Sequence, residues 1–177
     1  MNHVSSVGSS GLNPWLLGRP QFPGDDLPLG SAARGGKTGR KNILALLVED
    51  NRPDALLVEE AVALYGLPID LLVLEDGAKA FEFIERADRD PEAPCPQMLL
   101  LDLNLPKRSG REVLQRLRES AKFKDIPVLI ISSSNSERDR KDLRELGAEH
   151  YFCKPANYDE FLKVGEVLES MLQQHKI

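Results

Sequence analysis

The sequence predicts an α/β protein, an open doubly wound parallel sheet with helices on both faces. Five short apolar runs, at 43–48, 69–74, 98–101, 128–131 and 151–153, alternate with stretches of helical period. The first run is apolar without a break, as in a strand covered on both sides. Right-handed crossovers between successive parallel strands then lay helices over both faces of the sheet.

Residues 1–41 precede this pattern and differ from it. They hold eight Gly, four Pro and five Ser with no sustained apolar period, too little to offset the entropy of ordering. Residues 1–41 therefore read as a flexible tail and 42–177 as the single folded domain. Gly35-Gly36-Lys37-Thr38 shares letters with a phosphate-binding P-loop, but Ser31 stands where that motif needs its first glycine.

After the first strand, Asn51 is placed to cap a helix with Pro53 in its first turn. Its apolar stripe runs over 55–65, and Gly66 and Pro68 end it. The second strand leads to a helix over 78–87 and then to an acid- and proline-rich loop, 88–96. That loop exceeds the usual helix-to-strand connection of about 2–6 residues. The third strand precedes a helix over 111–120, and the fourth a very polar helix over 137–146. After the short fifth strand, Asn157 and Glu160 read as a capping box opening one last helix to about residue 174.

Charge and composition exclude several functions. The net charge is −5, with +3 in the first 41 residues and −8 in the remaining 136. An acidic domain does not suit a duplex-binding surface, which must neutralise phosphates. No apolar run approaches the roughly 20 residues of a membrane span, and Trp15-Leu16-Leu17 is too short for the core of a signal peptide. Cys95 and Cys153 cannot build a disulfide framework, and with only His3, His150 and His175 a zinc reading has little left. The chain reads as soluble and cytosolic.

In such a sheet, ligands gather at the carboxyl ends of the strands. There the first strand ends in Glu49-Asp50, the third in Asp102 and the fourth in Ser132, and the fifth runs into Lys154. Three crowded carboxylates repel one another unless a cation neutralises them. Oxygen-only donors with room for water suit Mg2+. A carboxylate beside that ion can attack a phosphoryl group, and lysine and a hydroxyl can hold the remaining oxygens. Single acids at strand ends are ordinarily loop residues or helix caps; the five positions together favour chemistry.

Four segments carry a resemblance: Leu47-Val48-Glu49-Asp50-Asn51, Leu101-Asp102-Leu103-Asn104-Leu105-Pro106, Ser132-Ser133-Ser134 and Tyr151-Phe152-Cys153-Lys154-Pro155. In this order they resemble the receiver domain of two-component response regulators, over 42 to about 174. The resemblance implies a flavodoxin-like sheet of strand order 2-1-3-4-5. It implies that Asp102 is the phosphoacceptor, modified by a histidine kinase or a phosphotransfer protein. Asp50 and Asp102 would ligate Mg2+ directly, Asn104 through its backbone carbonyl, and Glu49 through metal-bound water. Lys154 would bridge to the phosphoryl group, Ser132 would move to meet it, and Tyr151 matches the switch aromatic that turns inward.

The resemblance also implies a cis Lys154–Pro155 bond. Ser132 replaces the commoner threonine and keeps the hydroxyl. Ser134 stands where some members carry an acid or amide that aligns the hydrolytic water, so a long-lived phosphoryl group is expected. The long loop, together with Asp-Leu-Asn-Leu-Pro and the absence of an expected output domain, resembles the small regulators paired with phytochrome-type kinases. Arg138, Arg140, Lys141 and Arg144 give the fourth helix a charged face, in itself a solvated surface. In receivers the fourth helix, fifth strand and last helix form the signalling surface, available to a homodimer or another partner. Phe161, Val164, Leu168 and Met171, widened by Leu162, Val167 and Leu172, make the last helix apolar over a broad arc.

Two other readings compete. A Mg2+-dependent phosphatase with an aspartate nucleophile wants a second aspartate two residues on, where Asn104 has no proton to give. A receiver fold acting as a phosphorylation-independent binding module leaves the acid pair, Asp102 and Lys154 without a task.

Overall fold

The computed structural model describes residues 42–177. The expected tail and the P-loop-like tetrapeptide lie outside the described residues. Five parallel strands, β1 (Ile43–Val48), β2 (Ile69–Leu74), β3 (Met98–Leu101), β4 (Val128–Ser132) and β5 (His150–Cys153), form one sheet. Their order is 2-1-3-4-5, as expected. Register is set by the apolar runs: Leu47 lies beside Val73 and Leu100, and Ile130 beside Leu101 and Tyr151.

The helices are α1 (Arg52–Leu64), α2 (Gly77–Arg89), α3 (Gly110–Glu119), α4 (Glu137–Glu145), α5 (Tyr158–Phe161) and α6 (Val164–His175). Successive strand residues point to opposite faces. Ala45, Leu47, Leu100 and Ile131 are buried with α1, α5 and α6, while Leu46, Val48, Leu101 and Ile130 are buried with α2, α3 and α4. That is why the strands carry no polar alternation. No helix among the described residues is long and apolar enough to cross a membrane.

Several local expectations need correction. Asn51 holds the position before α1, but its side chain makes no capping bond. Its backbone N–H is instead taken by Glu49 Oε1 at 3.1 Å. Helix α2 runs on to Arg89 because Asp88 is recruited by α3, accepting from Arg116 at 2.8 Å and from Ser120 at 2.6 Å. The connection to β3 is shortened accordingly. Asn157 accepts from the Glu160 N–H at 3.2 Å, whereas the full reciprocal box forms at Ser109 and Glu112.

The single last helix is in fact two. Bonds three residues apart, Gly165 N–H to Leu162 O and Glu166 N–H to Lys163 O (both 3.0 Å), tighten the chain between α5 and α6. Glycine at 165 lets this turn lie against Tyr65, whose ring would stand 2.3 Å from any Cβ there. Among the described residues no peptide bond is cis, so Lys154–Pro155 is trans, the isomer an X–Pro bond ordinarily prefers.

Candidate functional site

The carboxyl ends of β1, β3, β4 and β5 meet at one rim. Glu49 and Asp102 are buried there, at 2% and 5% exposure, although a carboxylate is seldom buried without a partner. Asp50 is exposed. Glu49, Asp50 and Asp102 each present an oxygen within 4.8 Å of the others.

Lys154 lies among these acids. Its Nζ donates to Asp102 Oδ2 at 2.6 Å, to Glu49 Oε2 at 2.7 Å and to Asp54 Oδ2 at 2.8 Å. Burial alone would disfavour the ammonium, but the bonds to Asp102, Asp54 and Glu49 outweigh it and hold the lysine above its ordinary value. Burial pushes the Glu49 carboxyl up to about 7, with Asp102 adding to the rise and Lys154 and the Asn51 N–H opposing it. Three carboxylates thus share one ammonium, and Asp50 adds a fourth acid beside Glu49 and Asp102. Fully ionised, they leave a negative excess that a divalent cation would neutralise.

Asp54 is the residue that sequence reasoning missed. It was legible only as a first-turn acid in α1, although a helix that starts directly after a strand points its first turn at the carboxyl rim.

The remaining residues take definite places. The Asn104 N–H donates to Asp102 Oδ1 at 3.0 Å, fixing one carboxylate oxygen while Lys154 takes the other. Gly110 makes this loop possible, because a Cβ there would lie 2.1 Å from the Asp102 carbonyl oxygen. Ser132 is fully buried, and its Oγ accepts from the Ser134 N–H at 3.2 Å. Half-buried Tyr151 donates its hydroxyl to the Ser134 carbonyl at 2.7 Å, with the Arg140 guanidinium 4.8 Å above its ring. Ser132 and Tyr151 therefore grip the same backbone residue from its two ends. The Ser134 hydroxyl donates to Asp139 Oδ2 at 2.9 Å.

The donor set fits Mg2+: hard oxygens only, with Asp50 open to water on one side and Lys154 compensating on the other. The family model described as the response regulator receiver domain matches residues 45–165, more than half of the chain. The chain belongs to the response regulator receiver family. The receiver is 36% identical over 125 residues to response regulator Rcp1 of Synechocystis sp., covering 71% of this chain and 85% of Rcp1. Among solved structures it is similar to the phosphorylated cyanobacterial phytochrome response regulator RcpA, with TM-score 0.66 and 33% identity, over 73% of this chain and 92% of RcpA. The Mn2+-bound form of Rcp1 matches with TM-score 0.65 and 35% identity, over 72% of this chain and 92% of that one.

Proposed function

We propose that this receiver is a phosphorylation switch, taking a phosphoryl group onto Asp102 from a histidine kinase or a phosphotransfer protein and signalling by protein contact. The observation that carries the reading is the Lys154 ammonium, 2.6 Å from Asp102 in a rim where acids outnumber it. Asp50 and Asp102 would hold Mg2+ directly, Asn104 through its carbonyl and Glu49 through water. The ion supplies neutralisation between the attacking carboxylate and the incoming phosphate, and a clamp on the transferring oxygens.

One Asp102 oxygen attacks phosphorus, and the new O–P bond forms as the bond to the donor's imidazole nitrogen breaks. The Asn104 N–H and Lys154 hold the carboxylate's orientation for that attack. Phosphorylation adds about one negative charge to the site, and Lys154 donates to the new oxygens. Ser132, whose Oγ accepts from the Ser134 N–H, would move to donate to them and strain that bond. Because Tyr151 holds the carbonyl of the same residue, a shift at Ser134 is passed to Tyr151 and to Arg140 stacked on it.

RcpA is a phytochrome response regulator, which supports a cytoplasmic phytochrome-type histidine kinase as the phosphoryl donor here. The face formed by α4, β5 and α6 would meet a second copy or a downstream partner, with no direct DNA binding and no catalysis beyond the receiver's own phosphorylation and dephosphorylation. Incubation with Mg2+ and a small phosphodonor, read by intact mass, tests the reading. One phosphoryl adduct per chain is expected, dependent on Mg2+ and absent in Asp102→Asn. Steady phosphate release from varied organic phosphates would make the chain a phosphatase, and inertness would leave a binding module.

A further inference from the structure

A second group of ligating side chains lies at the opposite end of the sheet, where the strands begin. Glu149 and His150 stand at the entry to β5, the edge strand, with the Glu149 N–H on the Val128 carbonyl at 3.2 Å. His175 is the last residue of α6. His175 follows Glu149 by 26 residues in the chain, and the fold alone brings it to the adjacent Glu149 and His150. Each presents one ligand atom within 4.8 Å of the others.

The geometry at His175 is unusual for a simple ion pair. Its Nε2 is buried and lacks a hydrogen-bond partner among the described residues. Yet Glu149 Oε2 lies only 2.9 Å away, so the oxygen sits beside the nitrogen but outside hydrogen-bond geometry. Two donors bound to one small ion at about 2.0–2.1 Å, at 90–109° to each other, stand about 2.9–3.4 Å apart. A directed hydrogen bond would align the pair; two ligands of a common ion would not.

We propose that Glu149, His150 and His175 form a binding site for a borderline divalent transition-metal ion of the Zn2+ class, joining the start of β5 to the end of α6. Two imidazoles and one carboxylate are the donor set for such an ion, and are a poor one for Mg2+ or Ca2+, which take oxygens. The carbonyl end of a helix favours positive charge, and α6 ends at His175. Arg118 lies close enough to Glu149 to be influenced by its charge. Its guanidinium is committed to the carbonyls of Lys124, Ile126 and Gly147, and so does not occupy the cluster as a counter-ion. Three protein ligands leave at least one position for water or for a donor from a neighbouring molecule. The site is independent of Asp102 and of the phosphorylation reading, since it depends only on the fold.

The test is calorimetric titration of Zn2+ into the chelator-treated full chain carrying His3→Gln, which removes the remaining histidine. Excess Mg2+ is present to compete at the carboxylate rim. One saturable Zn2+ per chain is expected, with affinity lowered at least about tenfold by His150→Gln or His175→Gln and unchanged in Asp102→Asn. Because a change at His175 could loosen the last turn, Co2+ absorption gives a second readout on the His3→Gln chain. Visible ligand-field bands should appear there and be displaced by Zn2+. No saturable uptake would overturn the proposal. So would uptake that survives both histidine variants, or uptake that disappears in Asp102→Asn, which would assign the ion to the acidic rim.

Discussion

The Lys154 ammonium donates to Asp54 at 2.8 Å, a carboxylate on α1 that stands outside the three-acid set at the strand ends. Lysine at this position is therefore shared three ways before any phosphate arrives. Removing Asp54 should loosen it without removing the phosphoacceptor. Because Asp54 retains 22% side-chain exposure, the bond belongs at the weak end of charge-assisted bonds. Asp54→Asn is expected to lower stability by about 1 kcal/mol in urea denaturation while leaving the phosphoryl adduct intact. A loss of phosphorylation in this variant would give Asp54 a direct chemical task.

Burial of Glu49 sets a pH dependence. Its carboxyl rises from 4.5 to about 7 on folding, so the folded chain binds more protons than the unfolded chain between those values. Stability without Mg2+ should fall as pH rises through that window. Asp76 and Asp88 have the opposite shift, below 3.8, and lose their contribution only at more acidic pH. The proposed Mg2+ would favour the ionised rim, so its stabilising effect should grow across the same window. Thermal denaturation with and without Mg2+ at several pH values checks both slopes, and Glu49→Gln should flatten them.

Gly110 packs against the backbone of Asp102, the proposed phosphoacceptor. A methyl group there would meet the Asp102 carbonyl at 2.1 Å. Gly110→Ala should cost about 1–3 kcal/mol and slow phosphorylation by displacing the loop that holds Asp102 Oδ1. Unchanged stability would mean that α3 starts with more slack than the packing indicates.

The phosphoryl group should persist. The Ser134 hydroxyl is engaged by Asp139 and by the Ser136 N–H, and it lacks the reach of an acid or amide. Decay of the mass adduct in Mg2+ should take minutes, and Ser134→Asn should shorten it. A wild-type half-life of seconds would refute this.

The sheet was legible because its strands are covered on both faces. Apolar runs such as 43–48 and 98–101 are too short for an ordinary helix and suit strands buried on both faces. The rim followed, since Glu49, Asp102, Ser132 and Lys154 are placed by their position after those runs. What escaped depended on neighbours remote in sequence. The end of α2 moved because Asp88 meets Arg116 and Ser120, and the last helix divided where Gly165 meets the Tyr65 ring. Asp54 joined the rim through Lys154, and Ser134 became the shared hold of Ser132 and Tyr151 through its backbone, which no side-chain pattern reports.

The proposed switch requires that Asp102 become an acyl phosphate. Borohydride reduction of the phosphodonor-treated chain, followed by peptide mass spectrometry, converts such an aspartate to homoserine and reports its position. Homoserine at residue 102 alone, formed only with Mg2+, is the predicted result. Reduction at Asp50 or Asp54 instead, or no reduced residue in a folded chain supplied with Mg2+, would contradict it.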